Sequence, residues 1–146
     1  MFQRTSSAPK NQSRVMLILH AALATSLCLT LVVLAVARDR APLALAVPPT
    51  AGLVLAALAA AILGVAYAVL RPRFPKRATD QSEDDYWSTN ETRVSAIILW
   101  ALAEGAGLLG GVGYFLTGRM LAVAVAAAAV FVLIAFRPVQ LATMDG

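Results

Sequence analysis

Charged residues are scarce in this sequence, which has 12 Lys and Arg and 8 Asp and Glu among its 146 residues. With 60% hydrophobic residues and a mean hydropathy of +0.75, the chain falls outside the usual composition of soluble domains. Its apolar runs are too long and too uniform for membrane strands, which alternate over about ten residues. The composition therefore predicts an all-α, polytopic membrane protein in contact with the lipid bilayer.

Cysteine and histidine occur once each, as Cys28 and His20, so the sequence offers neither an intramolecular disulfide nor a cysteine metal site. It also contains no phosphate-binding loop and no paired nucleophile and base. We therefore expect no enzyme activity, no metal site and no cofactor. The net charge of +4 does not indicate nucleic-acid binding, because the basic residues lie mainly at predicted helix ends.

Four apolar stretches are predicted membrane spans, of which the last, about 25 Å long, is slightly short for the hydrocarbon core. They lie at residues 15–37, 48–70, 94–117 and 120–136. Gly118 and Arg119 leave room only for a tight turn, so the last two helices are expected to form an antiparallel hairpin. The sequence predicts a bundle of four transmembrane helices in two hairpins, a single domain over residues 14–146 that comes after a disordered cytoplasmic tail at residues 1–13.

The first stretch has an alternative interpretation as a secretory signal, because it ends in Ala35-Val36-Ala37, an A-x-A cleavage pattern. Its apolar part is longer than the usual 7 to 15 residues of such signals. A retained helix is therefore favoured over a cleaved one.

A loop at residues 71–93, first basic and then acidic, joins the two hairpins. By the positive-inside rule, the distribution of Lys and Arg predicts that both termini and this loop are cytoplasmic. The tail, the loop and the C-terminus hold Arg4, Lys10, Arg14, Arg71, Arg73, Lys76, Arg77, Arg93 and Arg137, whereas the opposite side has only Arg38, Arg40 and Arg119.

The aromatic residues of this region are predicted to anchor helix ends at the membrane interface, namely Tyr67, Tyr86 and Trp87. Ser88 and Glu91 have the spacing of a capping box that would start the third helix. The acidic residues 80–85 are a candidate docking site for a soluble partner, or else a solvated linker.

The third stretch carries a single charge, Glu104, and no other charged residue lies between Arg93 and Arg119. Glu104 is expected about 15 Å deep, near the bilayer midplane, where an ionised side chain costs at least about 2.5 kcal/mol. It should therefore be neutral, paired or beside water. The alternative to a functional role is a protonated carboxyl that hydrogen-bonds a neighbouring helix as part of the packing.

The same helix contains Gly107, Gly110 and Gly111, which are predicted helix-packing positions because a neighbouring backbone can approach them closely. Gly107 and Gly111 have the GxxxG spacing and share a face with Trp100 and Glu104. That face is expected to point into protein.

Three polar residues of the first helix are candidate partners of Glu104. Thr25 and Ser26 lie at a similar predicted depth, and His20 lies nearer the cytoplasm. We therefore predict a polar cluster of His20, Thr25, Ser26 and Glu104. The alternatives are a packed or interfacial histidine, and hydroxyl groups that bond to their own helix backbone.

The third helix has the pattern A-L-x-E-G-x-x-L, starting at Ala101, and then Y-x-L-T-G, starting at Tyr114. On these residues the chain resembles a family of small, uncharacterised bacterial proteins with four membrane helices. The resemblance spans most of the chain and implies a multi-pass protein of the inner membrane. It implies no particular activity.

A helical hairpin with a midplane glutamate and close glycines is also similar to the rotor-ring c-subunits of ATP synthases. In that family the glycines lie on the helix that faces the carboxylate, whereas here they share a helix with Glu104. Small multidrug-resistance transporters have four helices and one membrane glutamate, but theirs lies in the first helix. Neither activity is carried over to this chain.

The sequence supports two hypotheses of function. In the first, the chain is a non-enzymatic accessory subunit or a homo-oligomer that packs through Glu104 and the glycine face, within a larger membrane complex. In the alternative, it is a small transporter or proton-coupled channel in which Glu104 is the titrating group.

Overall fold

The computed structural model describes residues 11–40, 47–78 and 80–143. These residues form helices joined by short connections, which confirms the all-helical prediction for this part of the chain. In chain order the α-helices are α1 (Gln12–Arg40), α2 (Pro49–Val65), α3 (Glu83–Ser88), α4 (Asn90–Thr117), α5 (Met120–Ala135) and α6 (Pro138–Thr143).

Three of the helical stretches are long and apolar enough to cross a membrane, Gln12–Arg40, Thr50–Arg73 and Asn90–Thr117. The remaining apolar helix, α5, has 16 residues. At about 1.5 Å per residue it is about 24 Å long, shorter than a hydrocarbon core of about 30 Å. The described chain thus has three helices of spanning length and one shorter apolar helix beside them.

The long helices extend further than their apolar stretches. α1 begins at Gln12 and ends at Arg40, instead of covering residues 15–37, and α4 begins at Asn90 instead of residue 94. Polar residues continue these helices because backbone hydrogen bonding does not stop where the apolar residues stop. The predicted disordered tail is therefore too long at Gln12 and Ser13, and its residues 1–10 lie outside the described residues.

α2 is continued by two turns of different winding, a π-helical turn at Ala66–Leu70 and a 3₁₀ turn at Arg71–Arg73. Tyr67 lies on the π-helical turn with 52% of its surface exposed, and its hydroxyl accepts a hydrogen bond of 2.6 Å from Nη1 of Arg71. The Arg71 guanidinium also lies 5.0 Å from the centre of the Tyr67 ring.

The central helix of the bundle is α4, which packs against α1, α2 and α5. Half of its apolar segment is buried, compared with 11% for α1 and 17% for the second stretch. α1 and α4 run parallel, because Leu27 lies against Gly107 and, four residues further along both helices, Leu31 lies against Gly111. The two helices therefore start at the same end of the bundle.

Gly110 brings α4 and α5 into close contact. A Cβ at this position would lie 2.8 Å from the backbone oxygen of Ala122 and 2.9 Å from the backbone nitrogen of Ala126. Backbone atoms of a packed helix cannot move aside cheaply, so only glycine allows this approach. Gly107 and Gly111 instead lie against leucine side chains of α1.

The connection before α4 contains a short helix rather than a solvated linker. Ser82 caps α3, since its hydroxyl accepts from the backbone N–H of Asp85 and donates to the Asp85 carboxylate. The predicted capping box of Ser88 and Glu91 is wrong. The N-cap of α4 is Thr89, and the Ser88 hydroxyl donates to the backbone oxygen of Asp85.

Tyr86 and Trp87 do not act as exposed interface anchors in the structure, since only 2% and 1% of their surfaces are accessible. α3 turns both rings inward, where they contact each other edge to face at 5.0 Å. Trp87 then lies 6.5 Å from the ring of Trp100 on α4. The prediction failed because sequence position near a helix end does not show that a neighbouring helix covers the ring.

Candidate functional site around Glu104

Glu104 lies near the middle of α4 and is half-buried. It precedes Gly107 by three residues, which places it about 60° around the helix axis from the glycine that Leu27 of α1 contacts. Gly105, the next residue, points to open space, since a Cβ there would have no atom within 4 Å. Glu104 therefore lies at the margin between the face covered by α1 and the uncovered face of α4.

Within the described residues, the Glu104 carboxyl makes no hydrogen bond and no ion pair. This distinguishes it from the fully buried side-chain nitrogen and oxygen atoms, none of which lacks a partner in the same part of the chain. A carboxyl group without a partner in a hydrocarbon environment is costly in either charge state. Its own chain offers no compensation for this cost in the described structure.

His20 is not joined to Glu104. It is buried, and its Nε2 donates a hydrogen bond of 2.8 Å to the backbone oxygen of Leu133 on α5. Because a carbonyl oxygen only accepts, Nε2 carries the hydrogen. The His20 ring also contacts the edge of Trp100, with 4.9 Å between ring centres.

Thr25 and Ser26 are both exposed, and their hydroxyl groups likewise make no hydrogen bond within the described residues. The predicted polar cluster of His20, Thr25, Ser26 and Glu104 therefore does not form within the chain. The relative depths of the helices agree with the prediction, because Leu27 lies at the level of Gly107. The predicted orientation of these side chains was wrong, because Leu27 is the residue of α1 that faces α4 at this level. Ser26 lies about 100° and Thr25 about 200° around the α1 axis from Leu27.

His20 and the groups around it donate hydrogen bonds to the end of α5, a role that the sequence did not reveal. The last carbonyl groups of any helix lack partners inside the helix, and those of α5 need donors from elsewhere in the protein. His20 donates to the oxygen of Leu133, and Nε1 of Trp100 donates to the oxygen of Phe136 at 2.8 Å. These two long-range bonds close the end of α5.

Gln140 of α6 supplies the remaining donor at this helix end. With its side-chain nitrogen turned toward α5, the amide donates to the backbone oxygens of Ile134 and Ala135, at 3.2 and 2.5 Å. α6 therefore belongs to the same arrangement as His20 and Trp100. The sequence pattern Arg137-Pro138 indicates where α5 stops, but it does not indicate that a second short helix folds back onto its end.

The opposite end of the bundle is closed in a similar way. α4 ends at Gly118, which has a left-handed backbone conformation with a φ of 69°. Nη1 of Arg38 donates to the backbone oxygens of Phe115 and Leu116, at 2.8 and 3.3 Å. A cation at the C-terminus of α4 also interacts favourably with the helix dipole.

The acidic segment is largely occupied by contacts within the protein. Asp84 accepts hydrogen bonds from the Ser13 backbone at 3.0 Å and hydroxyl at 2.8 Å, and from the Asn11 backbone at 3.3 Å, so it caps α1. These bonds hold the pKa of Asp84 below its usual value of 3.8. Glu83 lies 3.8 Å from Arg77. A soluble partner at residues 80–85 stays a prediction, and it would have to compete with these contacts.

Tyr86 shows how little solvent reaches the end of the bundle that contains α3. Its hydroxyl donates a hydrogen bond of 2.9 Å to the backbone oxygen of Pro75. Burial raises the pKa of Tyr86 to about 12, because the phenolate would lose its hydration. The ring is therefore a neutral donor at physiological pH.

The described residues contain no group of three His, Cys, Asp or Glu side chains that could hold a metal ion. Comparisons of this chain with protein-family models, curated protein sequences and solved structures gave no match. The resemblance to small four-helix bacterial membrane proteins therefore stays a prediction. The geometry around Glu104 is the basis for assigning the protein a function.

Proposed function

We propose that this protein is a non-enzymatic, four-span protein of a bacterial inner membrane that works as a subunit of an assembly, and that Glu104 contacts a neighbouring subunit. The observation that carries the proposal is the Glu104 carboxyl, half-buried in the middle of α4 and without a partner among the described residues. A group in this position needs a hydrogen-bond donor or a cation that the described residues do not supply, and we assign that partner to a neighbouring subunit.

The glycine face on its own is not the assembly surface in this proposal. Gly107, Gly110 and Gly111 are buried against α1 and α5 of the same chain, so they are already used for internal packing. Glu104 lies at the edge of that face, where α4 is still open on one side. The proposed subunit contact is therefore centred on Glu104 and the open face beside it.

The proposed orientation rests on charge. The start of α1 lies beside α3, because Ser13 bonds to Asp84, and α6 contacts α1 as well. The basic residues counted from the sequence are concentrated at this end, and Arg38 and Arg119 lie at the other. Basic residues are retained preferentially on the cytoplasmic side, so we assign the end with α3 and α6 to the cytoplasm.

The assembly proposal is tested by the mass of the protein in native-membrane nanodiscs. Wild type and Glu104→Gln are expected to form particles of the same mass, because an amide keeps the ability to accept and donate hydrogen bonds. Glu104→Ala is expected to lower the mass toward a single chain of 15.3 kDa. Cys28→Ala is a control, since Cys28 is exposed on α1.

Equal particle masses for all of these variants would contradict the proposal. So would loss of the assembly in Glu104→Gln but not in Glu104→Ala, because removal of the carboxyl would then be harmless. In either case Glu104 would not be the group that holds the subunits together.

A second candidate function is a small transporter or proton-coupled channel in which Glu104 titrates. The half-exposed position of Glu104 favours it, because a proton carrier must be reachable from outside the packed core. The test is proton flux into liposomes under an imposed potential. Flux that Glu104→Gln abolishes would support the transporter, and absence of flux in wild type would exclude proton transport under those conditions.

A further inference from the structure

We infer that the partner of Glu104 is the Ser26 hydroxyl of a second copy of this chain, in a two-fold symmetric dimer formed by the open side of α1 and α4. This inference rests on the proposed function, because it identifies the subunit that Glu104 contacts. It uses polar groups that are without partners in the described structure.

Glu104 and Ser26 lie at nearly the same depth. Leu27 lies against Gly107 and Leu31 against Gly111, so Glu104 is level with Ala24 of the parallel helix α1. Ser26 is two residues further along, about 3 Å along the axis. A two-fold axis along the membrane normal leaves the depth of every residue unchanged, so only groups at nearly the same depth can meet across it.

Glu104 and Ser26 also lie on the same side of the α1 and α4 pair, away from α5. On α4, Gly110 faces α5, and Glu104 is about 120° around the helix from it, beyond the glycines that face α1. On α1, Cys28 lines a groove shared with Val130 and Leu133 of α5. Ser26 is about 200° around α1 from Cys28, on the opposite side.

This placement suits a symmetric dimer. A two-fold axis on the side away from α5 sets α1 of one copy against α4 of the other, so the contact between Ser26 and Glu104 forms twice. The hydroxyl of Ser26 donates to no acceptor in the described part of the chain, unlike that of Thr117, which donates to the backbone oxygen of Gly113 at 2.7 Å. In hydrocarbon no water competes for these groups.

The same side permits close approach of helices. Ala22 and Ser26 are exposed four residues apart on α1, and Ala101 and Gly105 have the same spacing on the open face of α4. Small residues at this spacing allow helix backbones in membranes to come close enough for short side chains to bond. Ser26 has a short side chain, so this closeness is necessary for its contact.

The experiment measures the dimer fraction of N-terminally labelled protein in phosphatidylethanolamine and phosphatidylglycerol vesicles, by single-molecule photobleaching at a series of protein-to-lipid ratios. Ser26→Ala and Glu104→Ala are each expected to weaken dimerisation about tenfold, because each removes two symmetric hydrogen bonds of the usual strength in membranes. The double variant should be no weaker than either single one, since both remove the same bonds.

Two matched controls separate this face from the rest of the surface. Thr25→Ala removes a neighbouring exposed hydroxyl that lines the groove toward α5, and it should leave the dimer unchanged. Gly105→Leu should block dimerisation by filling the open face, whereas Gly64→Leu on α2 should not, although both glycines face open space in the single chain.

A protein that stays monomeric at every ratio would overturn the inference, and so would a dimer that Ser26→Ala does not weaken. If the native-nanodisc assembly then still depended on Glu104, the proposed function would stand and the partner would be another protein. If that assembly were also independent of Glu104, both proposals would fail.

Discussion

Polar side chains at the end of the bundle near His20 have hydrogen-bond partners within the chain, whereas the Glu104 carboxyl in the middle of α4 has none within the described residues. At the first, His20 and Trp100 each donate to a backbone oxygen at the end of α5, and both rings are buried. At the second, a carboxyl group is half-buried and has no partner within the described residues. The chain therefore satisfies the polar groups of the first region by itself and leaves the Glu104 carboxyl of the second region without a partner among the described residues.

The two regions show that polar residues on the apolar helices of this protein have different roles. A lone histidine in an apolar helix is a natural candidate for proton transfer, yet here His20 donates to a backbone oxygen near the end of α5. The glutamate stays as the group that internal packing does not explain. Changes in the first region should act on stability, and changes in the second region on association.

The largest effect is expected from Trp100→Ala. Trp100 is fully buried between His20 and Trp87, and it donates to the oxygen of Phe136. Its removal should cost about 3–5 kcal/mol of unfolding free energy, from lost packing and an unsatisfied carbonyl. Denaturant unfolding in detergent micelles measures this. Trp100→Phe, which keeps an aromatic ring but loses the donor, should cost clearly less, and a Trp100→Phe variant as stable as wild type would contradict the assigned hydrogen bond.

The next largest effect is expected from His20→Ala. It leaves the oxygen of Leu133 without its donor in a buried position, which should cost about 1–3 kcal/mol. The same unfolding measurement applies, with Thr25→Ala, an exposed position on the same helix, as the control that should change little. Unchanged stability in His20→Ala together with altered proton flux in liposomes would show that His20 is a relay and not a helix cap.

A smaller effect on the isolated chain is expected from Glu104→Gln. The carboxyl has no internal bond to lose within the described residues, so the unfolding free energy of the monomer should change by less than about 1 kcal/mol. The measurement is denaturant unfolding at a protein concentration low enough to keep the chain monomeric. A loss as large as that of His20→Ala would mean that Glu104 is bound inside its own chain, and the contrast between the two regions would disappear.

The smallest effect is expected from lowering the pH until Asp84 becomes protonated. Its pKa is lowered in the folded protein, so its contribution to stability is present above about pH 3.8 and is lost as the pH falls through the lower folded value. Hydrogen exchange should then rise in the first turn of α1 and leave the middle of α4 unchanged. Asp84→Asn should show the faster exchange already at neutral pH, and identical exchange in the variant would contradict the cap.

Much of the helical organisation could be predicted because it depends on local chemistry. Long apolar runs, the prolines near α2 and α5, and Gly118 define where helices run and stop. What could not be predicted is which face of each helix is buried. The outward surfaces of a membrane helix are apolar as well, so hydrophobic periodicity carries little information about the core.

By itself the sequence determined that this protein is helical and apolar, that the glycines lie on the helix of Glu104, and that Glu104 is the one charge between Arg93 and Arg119. The tertiary structure alone decided that Tyr86 and Trp87 are buried, that His20 bonds to α5, and that Ser26 points away from α4. The reason is physical: helix formation depends on neighbours in sequence, whereas the partner of a polar side chain is set by which helices pack together and how each is rotated about its axis.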